Sequence, residues 1–264
     1  MQTEPYIFDA EGTELGREHL GYVETLFDAI TTDCLRSTGI GPGARCLELG
    51  AGAGSIARWL ADRVGPSGSV VAVDKNAAFL DPGPNVEVYE HDLAGGLPVD
   101  GPFDLIHARL LLMRLPRREQ IFTTLVEALA PGGWLVIGDV DRRPQATLSA
   151  PTLADEDVWA KVMSLSHGVV APRLGISFDW AGQVDDRMTE AGLADIGSVE
   201  YSRTVSGGDE GCLLHRNLTV RAESLLLECG VTRDELEHYR ELMLDSRFRA
   251  WFYHFLCTSG RKPE

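Results

Sequence analysis

Three glycines at alternate positions follow a short apolar segment and form the stretch of the chain best suited to bind a small ligand. The sequence CLELGAGAGS at residues 46–55 places them at Gly50, Gly52 and Gly54. The apolar residues before them predict a buried strand at 45–49, and those after them predict a helix. Such a turn exposes backbone N–H groups at the positive end of a helix dipole. Because glycine has no side chain, a ligand can approach the backbone of the turn closely.

The residues around the turn indicate the chemical class of that ligand. A turn that binds the pyrophosphate of a dinucleotide has the spacing G-x-G-x-x-G, whereas this one reads E-x-G-x-G-x-G, with Glu48 before the glycines. A carboxylate at Glu48 repels a pyrophosphate and suits an ammonium group. Asp74 follows the next predicted strand, residues 69–73, where an acidic side chain accepts hydrogen bonds from ribose hydroxyls. A nucleoside linked to an amino acid meets both requirements.

Glu48, the glycine turn and Asp74 together resemble motif I and the following acidic motif of the class I S-adenosylmethionine-dependent methyltransferases. The resemblance covers residues 40–140. It implies an α/β fold with a doubly wound, mostly parallel, seven-stranded Rossmann-like sheet whose last strand is antiparallel. It also implies S-adenosylmethionine as the cofactor and S-adenosylhomocysteine as its product.

The same resemblance assigns cofactor contacts to residues at the ends of four strands. It implies that the methionine part lies on the glycine turn and past the fourth strand, the ribose after the second strand and the adenine after the third. The implied contacts in chain order are the backbone of Gly50, Ala51 and Gly52, then Asp74 with Lys75 alongside, Asp92 with the Leu93 amide, and Ala108 with Arg109.

Two segments narrow the resemblance to the small-molecule methyltransferases of bacterial secondary metabolism, including antibiotic biosynthesis. They are YIFDAEGTELGRE at 6–18 and HARLLLMRLPRRE at 107–119. In such enzymes an N-terminal segment folds over the cofactor, which makes Tyr6 and Arg17 candidates for binding its carboxylate. The alternative is that Tyr6 packs against apolar residues and Arg17 is solvated.

The implied chemistry needs few catalytic groups. A sulfonium methyl donor already has a good leaving group, so catalysis depends mainly on proximity and in-line orientation. A hydroxyl acceptor also requires a general base, for which histidine is the usual residue. We predict three candidates for this base, His167, His215 and Asp139, and a structural role is the alternative for both histidines. The spacing of acidic and cysteine residues shows no metal site, and we expect no metal.

Strands and helices alternate through the first half of the chain, which predicts a parallel, doubly wound sheet. The carboxyl ends of parallel strands share one edge, where ligands of such sheets bind. The predicted strands are 45–49, 69–73, 86–89, 103–107 and 134–138. The polar residues that close them are Glu48, Asp74, Asp92, His107 and Asp139. Other predicted elements here are a helix at 17–37, a short helix at 76–80, a helix at 117–130 and a turn at 131–133.

The alternation stops near residue 141, which indicates a helical insertion before the final strands. Helices are predicted at 153–170, 180–191, 211–229 and 232–244, and strands at 196–205 and 251–257. We interpret residues 1–264 as a single domain. Its predicted parts are an N-terminal helical lid at 1–40, a cofactor-binding core at 41–140, and helical substrate-cover segments at 141–195 and 206–250.

Composition excludes several functional classes. The 264 residues have a net charge of −16, whereas nucleic-acid and anionic-membrane surfaces need clustered Lys and Arg. The five cysteines are scattered, which argues against a disulfide framework and favours reduced thiols in the cytoplasm. We expect a cytoplasmic protein whose partner is a small-molecule acceptor, with no nucleic-acid or membrane partner. A homodimer is left open.

Three other functions remain as alternatives. A protein that binds the same cofactor but catalyses a non-methylating reaction, such as a cyclisation, has the same motif I. A non-catalytic binding module keeps the same fold. A nicotinamide-dependent dehydrogenase agrees less well, because the third glycine is displaced and Glu48 opposes a pyrophosphate. The sequence does not identify the acceptor or its methylated atom.

Overall fold

The computed structural model describes residues 13–81, 83–142 and 146–264. Two compact units divide these residues. The first, here called the sheet unit, comprises the described residues of 27–142, 178–201 and 254–264. The second, here called the helical unit, comprises the described part of 1–26 and 143–177 together with 202–253.

Helices and strands are numbered in chain order. The strands are β1 (Arg45–Leu49), β2 (Ser69–Asp74), β3 (Val86–Glu90), β4 (Phe103–Arg109), β5 (Leu129–Val140), β6 (Ala146–Ser149), β7 (Ala194–Ser206) and β8 (Arg249–Arg261). The helices are α1 (Glu14–Ser37), α2 (Ser55–Val64), α3 (Arg118–Glu127), α4 (Leu153–Leu165), α5 (Ala171–Arg173), α6 (Trp180–Glu190), α7 (Glu210–Arg221), α8 (Glu223–Glu228) and α9 (Arg233–Leu242). A π-helical turn, Ser166–Val170, links α4 to α5.

The central sheet follows the order β3-β2-β1-β4-β5-β8. The first five strands are parallel to their neighbours, and β8 runs antiparallel to β5. The predicted fold class is therefore confirmed, including the antiparallel last strand. Strand β7 also pairs with β8. The sheet has one strand more than the predicted seven, because β6, a short strand that no sequence pattern indicates, pairs antiparallel with the start of β8.

The central strands form from continuous apolar runs because both faces of a parallel sheet are covered. Residues 46–49 and 70–73 are at most 4% exposed. Helix α2 follows the glycine turn and directs one apolar face to the core through Ile56, Leu60 and Val64. These elements place the carboxyl ends of β1, β2, β4 and β5 at one edge of the sheet.

Two local predictions are wrong. Residues 76–80 form a turn, because the Asn76 side chain accepts the N–H of Ala78 at 3.0 Å and so competes with a helix. The residues predicted as a turn at 131–133 lie within β5. Here Gly132 donates to the carbonyl of Lys262, and the Lys262 N–H donates to Gly133, so the segment after β8 extends the pairing.

The helical unit packs around its own apolar cluster. Trp159, Tyr239 and Phe248 lie in this core, and the rings of Trp159 and Phe248 are 6.1 Å apart. Helix α9 begins with a capping box at the predicted helix start, in which Thr232 and Glu235 bond each other's backbone. A lysine of α4, Lys161, also lies 2.7 Å from Glu235, which ties α4 to α9.

Helix α6 belongs to the sheet unit. The sequence places residues 180–191 within the substrate cover, but the compact sheet unit includes 178–201. The buried ring of Trp180 meets the edge of Phe122 of α3 at a centroid distance of 6.1 Å. Helix α6 therefore packs within the sheet unit, and the role of residues 141–195 and 206–250 as a substrate cover stays a prediction.

Candidate functional site

The glycine turn between β1 and α2 is held against β2. The N–H groups of Gly50 and Ala51 both donate to the carbonyl of Val73, at 2.8 and 3.2 Å. Gly50 has a φ of 68°, and an added Cβ there would lie 3.3 Å from the side chain of Leu111. Backbone conformation and close packing therefore both require glycine at position 50.

Asp74 connects the end of β2 to the same turn. Its Oδ2 accepts the N–H of Gly52 at 2.8 Å, and its Oδ1 accepts the N–H of Asn76 at 3.0 Å. A carboxylate can accept several hydrogen bonds, so a side chain that binds the turn can also accept from a ligand. Asp74, the residue predicted to bind the ribose, therefore also holds the glycine turn in place.

Asp92 and Lys75 come together beside this carboxylate. The Nζ of Lys75 lies 3.2 Å from the Oδ2 of Asp92, and both side chains are about half exposed, at 54% and 50%. The Oδ1 of Asp92 accepts the N–H of Ala94 at 2.9 Å. This N–H and the Lys75 ammonium lower the pKa of Asp92. Asp92 is therefore ionised at neutral pH, and Leu93, the next residue, is buried.

Glu48 lies beneath the turn and is bonded to His107. The register of β1 and β4 places the two residues side by side, and His107 Nδ1 lies 2.6 Å from Glu48 Oε2. Their side chains are 0% and 3% exposed. Within the described residues, His107 Nε2 has no hydrogen-bond partner. The structure gives Glu48 a protein partner, and its role as a ligand for an ammonium group stays a prediction.

Arg109, at the end of β4, is bound to helix α1. Its guanidinium donates to Asp28 at 2.8 Å and to Thr31 at 3.2 Å. Asp28 also accepts from the hydroxyl of Ser55, the first residue of α2, at 3.1 Å. Asp28 therefore links α1 to the end of the glycine turn and to the end of β4. Ala108 is fully buried.

Asp139, on β5, is the last of the polar residues predicted at the ends of the parallel strands, and it is 1% exposed. Its Oδ2 accepts the N–H of Met113 at 3.3 Å. Burial raises the pKa of Asp139 to about 7. The N–H of Met113 and the charge of Arg114 act in the opposite direction. Asp139 thus titrates in the physiological range.

The two candidate histidines come together in the helical unit. The rings of His167 and His215 are 6.4 Å apart, and His215 Nδ1 lies 3.5 Å from the hydroxyl of Tyr239. Burial, with a smaller contribution from His167, holds the pKa of His215 well below 6.5. His215 is therefore neutral at pH 7, and His167 lies in the π-helical turn, a type of distortion that is frequent at functional sites.

Comparison with known proteins identifies the family. Residues 21–196 match a protein family described as a methyltransferase domain. The chain belongs to this methyltransferase family. The cofactor of the family, S-adenosylmethionine, is the one that the glycine turn and Asp74 predict.

Similarity to one curated protein and to one solved structure extends this result. The methyltransferase chain is 32% identical to Methyltransferase str2 of Strobilurus tenacellus over 142 residues, which are 52% of this chain and 50% of that protein. The chain thus spans about half the length of the curated relatives it matches. Its fold is similar to phosphoethanolamine N-methyltransferase 2 of Haemonchus contortus, with a TM-score of 0.57, 14% identity, and coverage of 98% of this chain and 60% of that one.

A third similarity shows that the fold alone does not define the reaction. The [4+2]-cyclase SpnF has a TM-score of 0.53 and 18% identity, covering 89% of this chain and 80% of that one. At this level of identity the similarity establishes a shared fold.

The residues of the sheet edge fit S-adenosylmethionine. Asp74 and Asp92 are acceptors, which suits hydroxyl and amino groups, and the turn leaves no space for a side chain at Gly50. Lys75, the cation that follows β2, is paired with Asp92. This set of acceptors suits a nucleoside better than a pyrophosphate.

The remaining predicted residues have separate outcomes. Arg17 lies exposed in the first turn of α1, where its N–H donates to the carbonyl of Thr13, and Tyr6 lies outside the described residues.

Among the described residues, no cluster of three or more His, Cys, Asp or Glu is arranged to hold a metal ion, and no helix is both long and apolar enough to cross a membrane.

Asp28 and Leu111 are the contributors that sequence reasoning misses. Asp28 appears in the sequence as one acidic residue of an amphipathic helix, and Leu111 as one of three consecutive leucines. Their importance depends on contacts with Arg109 and with Gly50, which no local pattern contains.

Proposed function

We propose that this chain transfers a methyl group from S-adenosylmethionine to a small organic acceptor. The observation that carries the proposal is the bond between Asp74 and the N–H of Gly52, at 2.8 Å. It places an acceptor for ribose hydroxyls directly beside a turn whose backbone can bind an amino-acid tail. Family membership supports the same reaction.

The cofactor supplies a methyl group on a positively charged sulfonium, whose leaving group needs no protonation. The residues of the chain therefore have to bind and orient. In this proposal the glycine turn binds the methionine part, Asp74 the ribose and Asp92 the adenine. The buried pair of Glu48 and His107 gives the turn a rigid support.

For a hydroxyl acceptor we assign proton removal to His215. Burial lowers its pKa well below 6.5, so the imidazole is neutral at pH 7, and neutral imidazole is the form that accepts a proton. Tyr239, with its hydroxyl 3.5 Å from Nδ1, contributes to fixing the ring. His167 is the second candidate. The hydrogen bond of Asp139 to the loop after β4 favours a role for that carboxylate other than proton removal.

The acceptor belongs, in our proposal, to the intermediates of natural-product biosynthesis in the cytoplasm. The support is the similarity of residues 6–18 and 107–119 to secondary-metabolite methyltransferases and the net charge of −16, which disfavours nucleic acid as an acceptor. A homodimer is a further possibility that size-exclusion chromatography tests directly.

Incubation with methyl-labelled S-adenosylmethionine and a panel of small hydroxyl, amine and carbon acceptors tests the reaction. We expect label in the product together with S-adenosylhomocysteine. A product formed without label transfer would show that the chain catalyses a non-methylating reaction such as cyclisation instead of methyl transfer. Failure to bind S-adenosylhomocysteine in calorimetry would overturn the cofactor site itself.

Two variants test the assigned residues. Asp74→Ala is expected to weaken S-adenosylhomocysteine binding by about 10- to 100-fold, because hydrogen bonds to a charged group are lost. Asp62→Asn, an exposed change on α2, is the control. His215→Gln is expected to lower kcat by about 100-fold while the KM for the cofactor stays unchanged. An equal fall in kcat for His238→Gln, which alters a half-exposed histidine, would contradict the assignment.

A further inference from the structure

The loop after β4, residues 110–115, has a conformation that needs external support. Leu110 has a φ of 50°, in the left-handed region that non-glycine residues disfavour. Its N–H donates to the carbonyl of Gly138 on β5 at 2.8 Å. The next residue of β5 is Asp139, whose Oδ2 accepts the N–H of Met113 at 3.3 Å. Consecutive residues of β5 thus fix the backbone of this loop.

The loop in turn packs on the glycine turn. Leu111 lies against Gly50 so closely that an added Cβ would be 3.3 Å from its Cδ1 and 3.4 Å from its Cβ. A displacement of the loop therefore removes the group that closes one side of the turn. Asp139, the loop at residues 110–115 and Gly50 are thus joined from the end of β5 to the end of β1.

The surroundings of Asp139 leave its charge incompletely compensated. Its Oδ1 is buried with no hydrogen-bond partner among the described residues. The charged groups that face it are Arg114 on the loop and Arg118 on α3, and the thiol of Cys257 faces it from β8. The guanidinium of Arg118 is engaged with the carbonyls of Leu112 and Leu115, at 3.2 and 2.9 Å.

We propose that Asp139 is a positioning residue of the cofactor site: its carboxylate holds residues 110–115 in the conformation that seats Leu111 against Gly50, and so sets the affinity of the glycine turn for the cofactor. The inference rests on the proposed function and deepens it. A charged acceptor forms stronger hydrogen bonds to N–H groups than a neutral one. Cofactor affinity therefore follows the ionised fraction of Asp139.

The first test measures S-adenosylhomocysteine binding by calorimetry at pH 6, 7 and 8. Because the pKa of Asp139 is about 7, its ionised fraction rises from about one tenth to about nine tenths over this range, and affinity is expected to rise about tenfold. Asp139→Asn is expected to bind weakly at every pH. Asp104→Asn, the same change at an exposed position of β4, is expected to behave as the wild type.

The second test separates positioning from a general structural role. An ionised carboxyl with a raised pKa destabilises the fold, so Asp139→Asn is expected to have a Tm at pH 8 no lower than that of the wild type. In the cofactor-free protein, the amide of Met113 is expected to exchange hydrogen about tenfold faster in the variant at the same pH. A joint fall of affinity and Tm would overturn the proposal.

Leu111→Ala keeps the inference testable if Asp139→Asn fails to fold. It removes most of the contact with Gly50 through which Asp139 acts and leaves Asp139 intact, so binding is expected to be about tenfold weaker and to lose its increase from pH 6 to pH 8. If the wild-type affinity does not change with pH, the role of Asp139 is overturned, but the proposed function is not. No binding by the wild type at any pH would instead overturn the proposed function on which it rests.

Discussion

The imidazole of His107 and the carboxylate of Glu48 form a buried hydrogen-bonded pair across β1 and β4, 2.6 Å apart and beneath the glycine turn. Removing one partner leaves the other polar group in an apolar sheet. We therefore expect His107→Leu to lower the free energy of unfolding by about 3–5 kcal/mol, measured by urea denaturation. Glu48→Leu should have an effect of similar size.

The double variant Glu48→Leu/His107→Leu is the control for this pair. It removes both polar groups together, so its loss of stability should be much smaller than the sum of the two single losses. Additive losses would show that the two side chains contribute independently and would contradict the pairing.

Substitution of Asp28 should lower stability and cofactor affinity more than its position on a surface helix indicates. Asp28→Ala removes the acceptor that Arg109 and Ser55 share, and leaves a guanidinium side chain that is 9% exposed. We expect a loss of about 1–3 kcal/mol in unfolding free energy, with weaker S-adenosylhomocysteine binding. Asp33→Ala on the same helix is the matched control, because Asp33 is 67% exposed. Equal effects of the two variants would rule out a special role for Asp28.

Gly50 and Gly65 allow backbone conformation to be separated from packing. Both have left-handed φ, at 68° and 65°, but a Cβ on Gly65 would meet nothing within 4 Å. Alanine at either position should therefore cost about 1–3 kcal/mol in stability, whereas only Gly50→Ala should weaken cofactor binding, by about tenfold or more. Calorimetry with S-adenosylhomocysteine checks this difference, and partial recovery in Gly50→Ala/Leu111→Ala would confirm the contact with Leu111.

Acid should weaken the link between α4 and α9. The Lys161 ammonium, followed by the N–H of Thr232, lowers the pKa of Glu235 from 4.5 to about 2. A carboxyl with a lowered pKa contributes stability above its unfolded pKa and loses it as the pH falls toward the folded value. We expect the Tm of the wild type to fall more between pH 4.5 and pH 2 than that of Glu235→Gln.

Glu237→Gln on the same helix is the control for the acid effect, because Glu237 is exposed. It should keep the full pH dependence of the wild-type Tm. A Glu235→Gln variant with the same acid sensitivity as the wild type would contradict the contribution of this ion pair.

Local sequence patterns predict the framework of the cofactor site correctly. The five parallel strands have continuous apolar sequences because they are buried on both faces, and the glycine spacing reflects backbone conformations that other residues disfavour. Thr232 and Glu235 predict the start of α9 because the capping box is a contact between residues three positions apart.

Long-range pairings explain what the sequence does not predict. Glu48 and His107 are 59 positions apart, and Asp28 and Arg109 are 81 positions apart. These contacts depend on strand register and on where α1 packs, and no local pattern specifies either. The short strand β6 forms because β8 begins early enough to pair with it. The four residues of β6 do not by themselves predict this pairing.

Each unit contains one deeply buried indole, and this gives the protein two internal optical probes. Trp159 packs against Phe248 in the helical unit, and Trp180 packs against Phe122 in the sheet unit. Variants that retain one of these two tryptophans, with Phe at the others, would report the melting of one unit at a time through fluorescence. Coincident transitions would define a single cooperative folding unit, and separate transitions would assign a melting temperature to each.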